Sequence, residues 1–144
     1  KGKRKREKVG IGHAALVSRV KSSFASQTEL EVGQSDLVFE FLTLFRSLPK
    51  STESIVIGRQ LLRSGLSVGA NYREACRARS DAGLISKLGI VLQELDETCY
   101  WLEILVEGDI MTRQRLQALV QESQELSAIF TKAISTTRQR KLKE

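Results

Sequence analysis

The residues most able to do chemistry in this sequence are arginines. Arg59, Arg63, Arg73 and Arg77, set on a helix, fall within about 80° of one another and span about 27 Å. A line of guanidinium groups of that length can meet several phosphates, and phosphate neutralisation gives sequence-independent affinity for nucleic acid. Lys3, Arg4, Lys5 and Arg6 add a basic run near the start of the chain. Against this reading, Leu66 and Ala70 interrupt the line, and no aromatic interleaves it for base stacking. The same face could be solvated, or paired with acids of the next helix or of another subunit.

Carboxylates are the second candidate. Glu94 and Glu97 lie among Ile90, Trp101 and Ile104, a second apolar line on a helix that already has one. Such a patch marks a protein interface, unless a broad core takes both lines. A di-iron bundle would need Glu-x-x-His on facing helices, and the lone histidine, His13, lies far from these acids. Asn71 and Glu74 are adjacent on one helix face and are expected to hydrogen-bond across helices and set register. No nucleophile, base and pocket converge, so no catalytic residue is assigned.

Cys76 and Cys99 fit neither a metal spacing nor a disulfide framework. Glycine-rich phosphate loops and nucleophile elbows do not occur, so the expectation is no metal, no cofactor and no small-molecule substrate. No apolar stretch approaches the ~20 residues that cross a bilayer, and a cytoplasmic protein with reduced thiols is expected.

The elements that must position these residues are helices. One proline, Pro49, in 144 residues, and 6% aromatics, leave little for turns or strands. Leu37, Phe41, Leu44 and Leu48 form a helical stripe after Ser35-Asp36, predicting a first helix over about 36–48. A second, about 53–77, carries Gly58, Leu62, Gly65, Gly69, Tyr72 and Cys76 on one line. Its three glycines suit the close approach of another helix backbone, since each costs about 1 kcal/mol of helix propensity. A third, about 81–107, has a heptad seam of Leu84, Leu88, Val91, Leu95, Thr98, Leu102 and Leu105. A fourth runs over about 112–138. Short links between four such helices predict an all-α, antiparallel, up-down-up-down four-helix bundle over residues 35–141, behind a basic flexible extension of residues 1–34.

The net charge of +6 is unevenly placed. Residues 1–34 hold eight basic and three acidic side chains, residues 132–144 five and one, and the body between them ten and thirteen. The basicity belongs to the two ends of the chain.

The run Ser67-Val68-Gly69-Ala70-Asn71-Tyr72-Arg73-Glu74-Ala75, then Arg79-Ser80, Lys87-Leu88 and Glu94, then Glu97-Thr98-Cys99-Tyr100-Trp101-Leu102, resembles the bacterial four helix bundle protein family. That family includes proteins encoded in intervening sequences of large-subunit ribosomal RNA genes, once labelled S23 ribosomal proteins, and is similar to the accessory protein of diversity-generating retroelements. The resemblance covers about residues 36–141. It implies a non-enzymatic bundle that assembles into a homopentamer and, in the retroelement branch, binds nucleic acid and works with a reverse transcriptase. The acidic body departs from the basic assembly of that branch. The expected function is therefore an oligomeric accessory protein binding RNA or DNA through the arginine line and the basic ends. The alternative is an assembly module docking to itself or to a protein partner through Ile90, Glu94, Glu97, Trp101 and Ile104.

Overall fold

The computed structural model describes residues 27–142. These form four helices, α1 (Gln27–Ser47), α2 (Thr52–Cys76), α3 (Asp81–Glu107) and α4 (Arg113–Lys141), with no strand among the described residues. Side-chain hydroxyls begin three of them. Ser51, Ser80 and Thr112 each sit in extended backbone and accept a hydrogen bond from the N–H three residues on, satisfying a donor that the first turn leaves without a partner.

The first helix starts at Gln27, well ahead of the expected start at Asp36, so the expected boundary between residues 34 and 35 falls inside α1. Ser35-Asp36 is a good capping pair, but nothing breaks the helix before it. The preceding stretch has no proline and a single glycine, Gly33, whose cost of about 1 kcal/mol a helix tolerates. At the other end of α3, Gly108 is not the left-handed residue of the turn; Asp109 takes that role, with φ 55°.

Neighbouring helices run antiparallel. Leu48 faces Gly58, Phe41 faces Gly65 and Val38 faces Gly69, which aligns α1 against α2. Thr98 meets Ser64, and Lys87 meets Glu74, which aligns α3 against α2. Arg140 reaches Asp81 at 2.6 Å, setting the end of α4 beside the start of α3. Tyr72 of α2 crosses the interior to Phe130 of α4, with ring centroids 5.0 Å apart. The result is an up-down-up-down bundle.

The core follows the periodicity. Leu88, Val91, Leu95, Thr98, Leu102 and Leu105 are all buried, leaving Leu84 alone of the expected seam partly exposed. The glycine line of α2 packs as expected, but against side chains rather than a helix backbone. A Cβ at Gly65 would lie 2.5 Å from Cδ2 of Phe41, and one at Gly58 2.6 Å from Cδ1 of Leu48. The missing side chains form notches that α1 fills, which is why residues as large as Phe41 fit there with no exposed surface.

Buried hydroxyls close their hydrogen bonds locally. Ser64 donates to Leu61 O, Ser123 to Leu119 O and Thr137 to Ala133 O, one turn back along each helix. Thr98 Oγ1 stands 2.7 Å from Glu94 O and 3.0 Å from Ser64 Oγ. That pair is a polar pin between α2 and α3, and a shift of one residue in register would separate it.

Candidate nucleic-acid interface

Arg59, Arg63, Arg73 and Arg77 are all exposed along α2 and its C-cap, and Arg63 is engaged with acids of α3. Its Nη2 pairs with Oε1 of Glu97, and Nη1 lies 3.9 Å from Oε2 of Glu94. Of the two readings open for this stripe, pairing with acids of the third helix holds for Arg63. Lys3, Arg4, Lys5 and Arg6 lie outside the described residues.

The residues expected at an assembly surface therefore meet a member of the arginine line. Glu97 accepts from Arg63 and also from Trp101 Nε1, at 3.2 Å. Trp101 leans on the core while Tyr100 crosses it edge-on at 4.8 Å and is 52% exposed. Ile90 and Ile104 are half-buried. By the α2–α3 register Val56, 55% exposed, stands level with Ile104, so an apolar strip runs along the outer face where α2 and α3 meet.

Arg63 and the Trp101 N–H together hold the Glu97 carboxyl below its ordinary range. Trp101 is the only tryptophan, so its emission reports this carboxylate. As pH falls, emission is expected to change with a midpoint below the ordinary glutamate value of about 4.3, and Glu97→Gln abolishes the step. A midpoint at or above that value would show the contact to be absent in solution. The sign follows from the lowered pKa: the pair adds stability above the unfolded-state value and loses it as pH falls through the depressed one. Both partners face water, so that contribution is small.

Asn71 does not reach across helices. Its Nδ2 donates to Ser67 O and Ser67 Oγ, both at 3.0 Å, within α2 itself, because a short amide finds the carbonyl one turn back before it finds a neighbouring helix. Glu74 does cross, pairing with Lys87 of α3.

Topology then brings together basic residues that lie far apart in the chain. α2 ends, and α4 ends, at the same end of the bundle, where α1 and α3 begin. Segments 71–87 and 132–142 there carry eight basic residues, among them Arg73, Arg77, Arg79, Arg138 and Arg140, against Glu74 and Asp81. Glu29, Glu31 and Asp36 of α1 stand at that end by register. The opposite end, segments 46–53 and 103–115, is balanced at four of each sign. Residues 1–26, with eight basic side chains and one acidic, join the bundle at Gln27, again at the basic end. The sequence singles out Arg73 and Arg77 and includes Arg138 and Arg140 only within the basic end of residues 132–144, while Arg79 is not singled out; the antiparallel topology is what unites them.

Other chemistry is sparse. Among the described residues no group of three or more His, Cys, Asp or Glu could hold a metal ion. Cys76 and Cys99 are not joined in a disulfide and are partly buried, and burial pushes the Cys99 thiol up, helped by Asp96 and Glu103. Burial likewise raises the Tyr72 phenol, assisted by a hydrogen bond with Cys76. A groove of about 740 Å³ between α3 and α4 is lined by Leu102, Val106, Leu116 and Val120 with Glu103, Glu107, Arg113 and three glutamines. Among the described residues no helix is long and apolar enough to cross a membrane.

A four-helix bundle with charge polarised to one end is the class of protein these observations define. The chain belongs to the 23S rRNA-intervening sequence protein family, whose pattern it matches over residues 28–132. It is similar to a protein of unknown function from the S23 ribosomal protein family of Bacteroides thetaiotaomicron VPI-5482, whose crystal structure is known at 1.70 Å. The two share 35% identity over 72% of this chain and 96% of that one, with a TM-score of 0.67. No curated protein is significantly similar to it.

Proposed function

We propose that this protein is a non-enzymatic accessory factor that binds the phosphate backbone of RNA or DNA through the basic end of its bundle. The observation that carries the proposal is the gathering of Arg73, Arg77, Arg79, Arg138 and Arg140 at the end where the basic residues 1–26 also attach. Membership of a family defined by ribosomal RNA intervening sequences agrees with a nucleic-acid setting. The proposed place of action is the cytoplasm. Of the arginine line, Arg73 and Arg77 belong to this site; Arg63 is committed to Glu97, and Arg59 lies about 27 Å along α2 from Arg77.

Electrophoretic mobility of a structured RNA and of a duplex DNA, titrated with the full chain at low and moderate salt, tests the proposal. A shift at low salt that weakens as salt rises is expected. Absence of any shift at low salt would remove the proposal.

A second reading rests on the apolar strip of Val56, Ile90, Tyr100, Trp101 and Ile104 on the outer α2–α3 face. In this reading the strip joins copies of the chain, a pentamer by the family resemblance, or docks a protein partner such as a reverse transcriptase. The two readings are compatible, because the strip runs from the middle of the bundle toward the end opposite the basic surface. Light scattering decides the assembly: a monomer at micromolar concentration excludes self-association through this face.

A further inference from the structure

We infer that the polymer bound at the basic end is double-stranded, held by its paired phosphodiester backbones and not by its bases. This rests on the nucleic-acid reading above and names the class of ligand. Two observations carry it. The first is the kind of side chain present: the exposed groups of the basic end include five guanidinium groups on the last turns of α2 and α4 and on the link before α3, supplied by Arg73, Arg77, Arg79, Arg138 and Arg140. The second is where the aromatics are. Tyr72 stands at this end but is turned inward against Phe130 and is only 4% exposed. The exposed aromatics among the described residues lie elsewhere. Tyr100 is about 28 Å along α3 from Asp81, and Phe39 is level with the middle of α2, about 15 Å from Arg77.

Unpaired strands are gripped by stacking bases on aromatic faces, at about 1–3 kcal/mol per base. Among the described residues the basic end offers no such face, and its charge favours the denser polyanion. A duplex presents one negative charge per about 1.7 Å of axis, a single strand one per about 3.4 Å at most, and each phosphate contact releases more counterion from the duplex, about 0.9 against about 0.7. Four contacts, from Arg77, Arg79, Arg138 and Arg140, correspond to a logarithmic salt slope near −3.6, or a loss on the order of 100-fold in affinity between 50 and 200 mM salt.

Asp81 tunes the same surface. It pairs with Arg140 at 2.6 Å, so a phosphate reaching Arg140 must share or displace that carboxylate.

The test is a set of fluorescence-anisotropy titrations of the full chain with four probes of one length: an RNA duplex, a DNA duplex, and an unstructured pyrimidine strand of each. At least one duplex is expected to bind about 10-fold or more tightly than its unpaired strand, and the RNA and DNA arms show which backbone is preferred. Equal or tighter binding of the single strands overturns the inference while leaving the nucleic-acid reading in place. No binding to any probe removes both.

Charge-removing pairs locate the contacts. Arg77→Gln/Arg79→Gln and Arg138→Gln/Arg140→Gln are each expected to reduce the salt slope by about 1.8, with helicity checked by circular dichroism. Asp81→Asn should tighten duplex binding several-fold. Slopes unchanged in both pairs would place the contacts outside this end and overturn the inference.

Discussion

Phe41→Ala is expected to lower the melting temperature by about 10–15 °C, read by circular dichroism. The ring is fully enclosed, and truncation of a buried phenylalanine removes its transfer energy and leaves a cavity, together about 3–5 kcal/mol. The upper part of that range applies here because the surface opposite the ring is Gly65. A cavity collapses when neighbouring side chains can move into it, and a glycine has none to move. At roughly 3 °C per kcal/mol for a domain of this size, the shift follows. A drop of less than about 5 °C would mean that α1 does not dock on α2 as described.

Gly65→Ala is the complementary case, a loss from adding a methyl group. The new Cβ would stand 2.5, 2.8 and 2.9 Å from Cδ2, Cγ and Cε2 of Phe41. It meets the face of a rigid ring with no exposed surface, so the ring has nowhere to retreat. Overpacking of this kind costs about 1–3 kcal/mol, against a gain of about 1 kcal/mol in helix propensity, and a net loss of several degrees is expected. At Gly58 the first atom met is Cδ1 of Leu48 at 2.6 Å, the far end of a flexible side chain, and Gly58→Ala should cost less. At Gly89 nothing lies within 4 Å, so Gly89→Ala should stabilise by about 1 kcal/mol. The series changes sign along one protein. Phe41→Leu combined with Gly65→Ala should recover part of the loss, and strict additivity of the two changes would show that these residues do not touch.

Much of this fold was legible in the residues. The spans expected for α2, α3 and α4 agree with the observed ones to within three residues, because serine or threonine caps mark each start and a regular apolar period runs between the caps. The seam from Leu88 to Leu105 is buried as its heptad spacing required. The start of α1 was not legible, since Ser35-Asp36 offers a cap where no break exists. The glycine line showed that something packs closely on α2, but not that Phe41, Phe45 and Leu48 would be the occupants. A glycine reports a missing volume and says nothing about what fills it.

The candidate site shows the same division more sharply. Helical periodicity, capping and the basicity of the chain ends are local properties, set by residues within a few positions of one another, and the sequence by itself determines them. Partners are not local. Arg63 finds its carboxylate 34 residues away, and Arg140 finds Asp81 59 residues away. Only antiparallel packing made those contacts. The same packing took arginines at the ends of α2 and α4 to one end of the bundle and left the other end neutral. The sequence placed positive charge along the chain; the tertiary structure decided which of those charges share a surface, because burying four apolar stripes in one core fixes where every helix begins and ends.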